Sequence, residues 1–186
     1  MKKTIRFLIM YYKNIIMRHH FYPPEEFRRK FERPEEYLPN LIKGKGVIVD
    51  YGCGNGFYCK YLINYAIKLY CIDINEVALR EVKEKIKDAI VLTSPEEIND
   101  NSVDYVLLAN SFHDMEDKEY AVRQIKRILK EGGKVIIIDW KKENTPIGPP
   151  LTIRMSEKEY LEWFKDFKLV NRFSPTPYHF GLVLEK

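Results

Sequence analysis

The chain has few of the features that would place it at a glance. Its 186 residues include three cysteines, Cys53, Cys59 and Cys71, and no two of them form a CxxC pair. That pattern indicates neither a zinc site nor a disulfide framework, and it fits a reducing cytoplasm. No apolar run approaches the roughly 20 residues needed to span a bilayer. Phe7 to Tyr12 follows Lys2, Lys3 and Arg6 as in a signal peptide, but Lys13 interrupts the run and no small-residue cleavage site follows. Charge of one sign is not in excess. The 31 basic and 27 acidic residues leave +4, spread along the chain, which is too little to argue for nucleic acid. Internal repeats and low-complexity tracts are missing. Gln124 is the only glutamine, and beside many Lys, Glu, Ile and Tyr residues this leans towards a heat-adapted protein. With 45% hydrophobic and 31% charged residues, the expectation is one globular domain with a full core.

The informative stretch is Val47-Ile48-Val49-Asp50-Tyr51-Gly52-Cys53-Gly54-Asn55-Gly56-Phe57-Tyr58. It begins as an apolar, β-branched run, the pattern of a strand buried on both faces. It turns through glycines at alternate positions and continues as a helix. Strand, glycine loop and helix in that order make a cradle whose amides and helix N-terminus face a ligand. The dinucleotide fingerprint wants G-x-G-x-x-G, but here the position of its last glycine is Phe57. Asp50 stands just before the loop, and one strand later Leu69 to Ile74 carries Asp73.

Beyond Val47, strands and helices alternate. The patterning predicts strands near 47–51, 68–73, 89–92, 103–109 and 134–139, with helices near 57–66, 75–87 and 115–130. Asn75 is the expected N-cap of the second helix, and Gly132-Gly133 the expected end of the third. A Pro/Gly-rich loop from Asn144 to Pro150 precedes a helix from Ser156. Two strands, Phe167 to Phe173 and His179 to Leu184, close the chain as an antiparallel pair. Ahead of Val47, Ile5, Leu8, Ile9, Tyr12, Ile15, Ile16 and His19 fall at helical spacing. This gives an amphipathic helix that packs on the protein's own body or a sister subunit, or lies on a membrane surface. Short helices are expected at 25–30 and 33–38, set off by Pro23, Pro24 and Pro34.

The D-x-G-x-G-x-G run with Asp73 one strand on resembles motif I and the following acidic position of class I S-adenosylmethionine-dependent methyltransferases. The resemblance covers Ile42 to Lys186 and is nearest to the small single-domain subgroup similar to ubiquinone/menaquinone-biosynthesis methyltransferases. It implies an α/β fold, a Rossmann-like, doubly wound, seven-stranded, mostly parallel sheet with a C-terminal antiparallel hairpin. The implied organisation is a helical extension or lid over 1–41 and the methyltransferase domain over 42–186. S-adenosyl-L-methionine is the implied cofactor, with no metal, and the partner a small-molecule methyl acceptor. A homodimer through the N-terminal helix is a further expectation.

In an open parallel sheet the ligand lies beyond the carboxyl ends of the strands. The implied cofactor residues are Asp50, Gly52, Cys53, Gly54, Tyr58, Asp73, Ile74, Thr93, Ser94 and Asn110. Gly52 and Gly54 admit the amino-acid end, and Tyr58 closes over it. Asp73 accepts both ribose hydroxyls, and Ile74 packs on adenine. Thr93 and Ser94 stand where the family often has an acidic residue. Asn110 meets the methionine portion. His113, just past the central strand, is the catalytic candidate as a general base, with a structural pocket role as the alternative. Asp114 is expected to cap the next helix. His20, Tyr22, Trp140 and Arg154 are the acceptor-side candidates, with Phe21, Tyr37 and Asp139 beside them. For each the alternative is plain packing or pairing. A protein or RNA acceptor, and a cofactor-binding protein without turnover, are the rival functions. Asn110-Ser111-Phe112-His113 departs from the Asn/Asp-Pro-Pro-Tyr/Phe of adenine N-methyltransferases, and the cysteines do not gather on the acceptor side as arsenite methylation would require.

Overall fold

The structure, a computed structural model, describes residues 24–186. The order is α1 (Glu25–Glu32), α2 (Pro34–Leu41), β1 (Gly46–Tyr51), α3 (Cys59–Leu62), β2 (Ala66–Ile72), α4 (Glu76–Lys85), β3 (Ile90–Leu92), β4 (Val103–Ala109), α5 (Lys118–Ile128), β5 (Leu129–Trp140), α6 (Glu157–Trp163), β6 (Lys168–Phe173) and β7 (His179–Glu185). These strands form one seven-stranded sheet in the order β3-β2-β1-β4-β5-β7-β6. β1 to β5 pair in parallel, while β7 runs antiparallel to both β5 and β6. This is the doubly wound, Rossmann-like sheet with a terminal hairpin. The order reverses between β1 and β4, so a crevice opens at their carboxyl ends.

The central strands carry apolar runs because both of their faces are covered. Ile48, Leu107, Ile136 and Ile138 face a core shared with Leu38 and Leu41 of α2, Leu62 of α3, and Leu79 and Val82 of α4. Their neighbours Val49, Val106, Leu108, Val135 and Ile137 face the opposite core, with Ala121 and Ile125 of α5 and Tyr160 of α6. Helix starts follow their side chains. Asn75 caps α4 by accepting from the amides of Val77 and Ala78, and Ser156 and Glu159 form a reciprocal capping box on α6.

Three local expectations change. Asp117, not Asp114, caps α5, and Asp114 ends a short 3-10 turn over Phe112–Asp114. The helix after Gly56 is one turn, Cys59–Leu62, followed by a 3-10 turn over Ile63–Tyr65. Gly132-Gly133 does not end α5. That helix stops at Ile128, and Gly132, at φ +74°, bends the start of β5, where its amide and the Gly133 carbonyl pair with Lys186. Tertiary pairing with Lys186, just past the end of β7, overrides the local stop signal. The amphipathic helix expected from the spacing of Ile5 to His19, and any dimer through it, lie outside the described residues. Among the described residues no helix is long and apolar enough to cross a membrane.

Candidate functional site

The loop after β1 is built by backbone geometry. Gly52, Gly54 and Gly56 take φ of +79°, +53° and +83°, values that other residues rarely adopt. Gly52 and Cys53 both donate to the Ile72 carbonyl at the end of β2, at 2.8 and 2.9 Å, which folds the loop over β2. A Cβ on Gly52 would come within 2.4 Å of the Ser111 Cβ, and Ser111 in turn donates to the Tyr51 carbonyl. The loops after β1 and β4 therefore touch at the crevice with no room for a methyl group.

Asp73 stands at the opposite lip. Its Oδ2 accepts from the Gly54 amide at 2.7 Å and its Oδ1 from the Asn75 amide at 2.9 Å. One contact on each oxygen leaves a lone pair on both, which suits a pair of ligand hydroxyls. Ile74 beside it is a large apolar side chain left 81% exposed. Thr93 is exposed, and Ser94 donates to Glu96. Asp50 does not reach the crevice surface. It is 1% exposed and accepts from the Cys59 thiol at 3.1 Å, and burial pushes its carboxyl well above the usual range. Cys53 is buried in the loop with its thiol on the Gly54 carbonyl.

Under the crevice lies a polar cluster centred on Glu32, at the end of α1. Its carboxylate pairs with Arg28 at 2.5 and 2.9 Å and accepts from Tyr58 Oη at 2.8 Å and Asn110 Nδ2 at 3.3 Å. Burial opposes the Glu32 charge, but the adjacent guanidinium outweighs it and holds the carboxyl below its ordinary value. Burial, followed by the Glu32 charge, pushes the Tyr58 phenol up, so it keeps its proton and donates. Tyr37 Oη lies 3.0 Å from Tyr58 Oη. Asn110 takes φ +55°, and its buried Oδ1 has no hydrogen-bond partner among the described residues. A strained asparagine with an unused acceptor beside a glycine cradle is a feature of sites rather than of cores.

His113 is buried and held from both sides. Its Nδ1 meets Asp139 at 2.8 and 2.9 Å, and its Nε2 lies 3.3 Å from Asp114. Burial alone would lower its pKa, but the Asp139 charge and the hydrogen bonds to Asp114 and Asp139 raise it to about 10. Asp139, 1% exposed, also accepts from Tyr160 and from the Trp140 amide. His113 thus carries its proton at neutral pH.

Arg154 is 5% exposed and donates to the carbonyls of Pro149, Lys141, Glu143 and Ile147. Its guanidinium centre lies 5.3 Å from the Trp140 ring, so it staples the 141–154 loop against that indole. Trp140 packs on His179 with centroids 4.1 Å apart and on Phe31 of α1 at 6.0 Å. His20, Phe21 and Tyr22 lie outside the described residues. Among the described residues no cluster of His, Cys, Asp or Glu is suited to a metal.

The structure brings Gly52, Gly54, Asp73, Ile74 and Asn110 to one crevice, with Tyr58 beneath it. It adds residues that the sequence did not single out, namely Glu32 and His179. Arg28 and Glu32 at i,i+4 read in sequence as an ordinary solvent-facing helix pair. Only docking of α1 buries them.

A family model described as a methyltransferase domain matches residues 49–137. The crystal structure of a candidate type 11 methyltransferase from Sulfolobus solfataricus is 68% identical, with a TM-score of 0.82, covering 84% of this chain and 93% of that one. A SAM-dependent methyltransferase from Aquifex aeolicus is 28% identical, with a TM-score of 0.79, over 95% of this chain and 97% of its own. The ubiquinone/menaquinone biosynthesis C-methyltransferase of Escherichia coli is 28% identical over 100 residues, 49% of this chain and 39% of the relative. The chain spans 39–57% of the length of the first curated relatives it matches.

Proposed function

This chain belongs to the class I S-adenosylmethionine-dependent methyltransferase family, and on that premise we propose that it transfers a methyl group to a small-molecule acceptor. The observation that carries this reading is the pairing of Asp73, with a lone pair open on each oxygen, and the buried, unpartnered Asn110 Oδ1 across one glycine cradle. Asp73 would take the ribose hydroxyls and Ile74 the adenine face. Gly52 and Gly54 would let the backbone approach the amino-acid end, and Asn110 Oδ1 would accept from its ammonium. Thr93 and Ser94 would border the base. Asp50, Cys53 and Tyr58 would act from beneath, by fixing the loop.

Bound there, the cofactor supplies a sulfonium-activated methyl group. The protein's contribution is position: holding reactants in near-attack geometry supplies on the order of 7–11 kcal/mol. His113, already protonated, would orient the loop after β4 through Asp139 rather than accept a proton. Arg154 and Trp140 would shape the acceptor side by fixing the loop above it. We read 1–41 as a helical extension that closes this side, with Glu32 its anchor, and 42–186 as the catalytic domain.

Isothermal titration with S-adenosylmethionine and with NAD separates the first premise from a dinucleotide site, and NAD uptake without S-adenosylmethionine uptake would refute it. Incubation of the chain with methyl-labelled cofactor and a cell extract then tests the acceptor class. The expected outcome is label in a small organic product. Label in protein or RNA would overturn the small-molecule reading, and binding with no transfer would overturn catalysis.

A further inference from the structure

His179 opens β7 beside Trp140 and is fully buried. Its Nδ1 lies 2.7 Å from Thr176 Oγ1, and that oxygen already accepts from the amides of Tyr178 and His179. The remaining role of the hydroxyl is to donate to Nδ1, so the ring proton sits on Nε2. Nε2 is buried and has no hydrogen-bond partner among the described residues. Burial lowers the His179 pKa to about 4, so this is a neutral N–H donor with nothing to bind. A buried donor left unpaired is costly, and a protein retains one where a ligand supplies the partner.

The surroundings of this donor define what fits. Trp140 lies 4.1 Å from the imidazole, and Phe31 stacks 6.0 Å from Trp140 and 5.6 Å from Tyr178, making a box of flat faces. Charges nearest the ring are Glu32 and Asp139 against Arg28 and Arg154, two of each sign. Glu32 is paired with Arg28, Asp139 with His113, and Arg154 with four backbone carbonyls, so none of these charges is left open to select an acid or an ammonium. It lies at the ends of β5 and β7, beside Asn110, whose amide pairs with Ile138.

Resting on the methyltransferase reading, we propose that His179 is a specificity-determining residue whose Nε2–H binds the methyl acceptor. The acceptor is a neutral, planar aromatic molecule with a lone-pair nitrogen or oxygen, stacked between Trp140 and Tyr178. Phe31 of α1 fills part of that space and lifts as the acceptor enters.

Quinoline and naphthalene share one shape and differ by a ring nitrogen, so together they probe the donor. The full chain carries Trp163→Phe, which leaves Trp140 as the single indole. Its fluorescence is titrated with each probe, with and without S-adenosylhomocysteine. Quinoline is expected to bind about tenfold more tightly than naphthalene, the effect of one hydrogen bond to an otherwise unpaired donor. In His179→Phe the preference should shrink to within about twofold, and in Phe31→Ala both probes should tighten with the preference kept. In the unsubstituted chain the His179 Nε2–H resonance should shift with quinoline and hold still with naphthalene, a readout that needs no variant to fold. Equal affinity for the two probes, or a preference that survives in His179→Phe, would overturn the proposal, as would a resonance that ignores quinoline. Calorimetry with S-adenosylhomocysteine is read separately: its failure counts against the methyltransferase reading, whereas the titration without it still judges the box.

Discussion

Two buried histidines only a few side chains apart hold opposite protonation states, and their environments explain why. His113 lies between Asp139 and Asp114, while His179 has a hydroxyl and aromatic rings against it. The His113 pKa is raised to about 10, so its stabilisation is complete below the ordinary 6.5 and is lost as pH rises towards 10. The His179 pKa is lowered to about 4, so its contribution is complete above 6.5 and is lost as pH falls towards 4. Urea unfolding across pH should show the alkaline loss disappear in His113→Gln and the acid loss shrink in His179→Gln. At the cradle, Asp73→Ala should weaken cofactor binding about 10–100-fold by calorimetry, the usual worth of hydrogen bonds to a charged group. Asp73 was legible in the sequence because a carboxylate at a strand end can be counted along the chain. His179 was not, because its meaning comes from the unpaired nitrogen and the aromatic faces around it.

At the scale of elements, the loop after β1 is fixed twice, by backbone conformation and by contact with the loop after β4. Gly52→Ala forces a side chain into φ +79° and drives its Cβ against Ser111. The expected loss is about 2–5 kcal/mol in urea unfolding, from αL strain and overpacking together. Adding Ser111→Gly should restore only the overpacking part, since the backbone strain remains. Strands β1 and β4 could be read from sequence because burial on both faces writes a continuous apolar run. The true start of β5 could not. Leu129 to Gly133 carries a charged, glycine-rich stretch that becomes strand only when Lys186 pairs across it. The Asp114 capping expectation failed for a similar reason: two carboxylates three residues apart are equivalent on paper, and the 3-10 turn selects the second.

Across the whole molecule, Glu32 joins α1 to the sheet through Tyr58 and Asn110. Glu32→Ala should cost about 3–5 kcal/mol, because it strips a buried ion pair of one partner. Tyr58→Phe should cost less, about 1.5–3 kcal/mol, the worth of one hydrogen bond to a charged acceptor. Equal losses in the two variants, measured by urea unfolding, would show that α1 is not held by charge.

The sequence by itself determined the sheet, the glycine turn and the acidic strand end, since each follows from periodicity, φ restrictions or position along one segment. Tertiary structure alone decided which polar atoms meet. Docking of α1 buries Glu32 under the crevice, pairing of β7 with β5 brings His179 to Trp140, and Asp139 fixes the proton on His113. Those contacts join residues far apart in the chain, and burial gives them their charge states, so no local pattern encodes them.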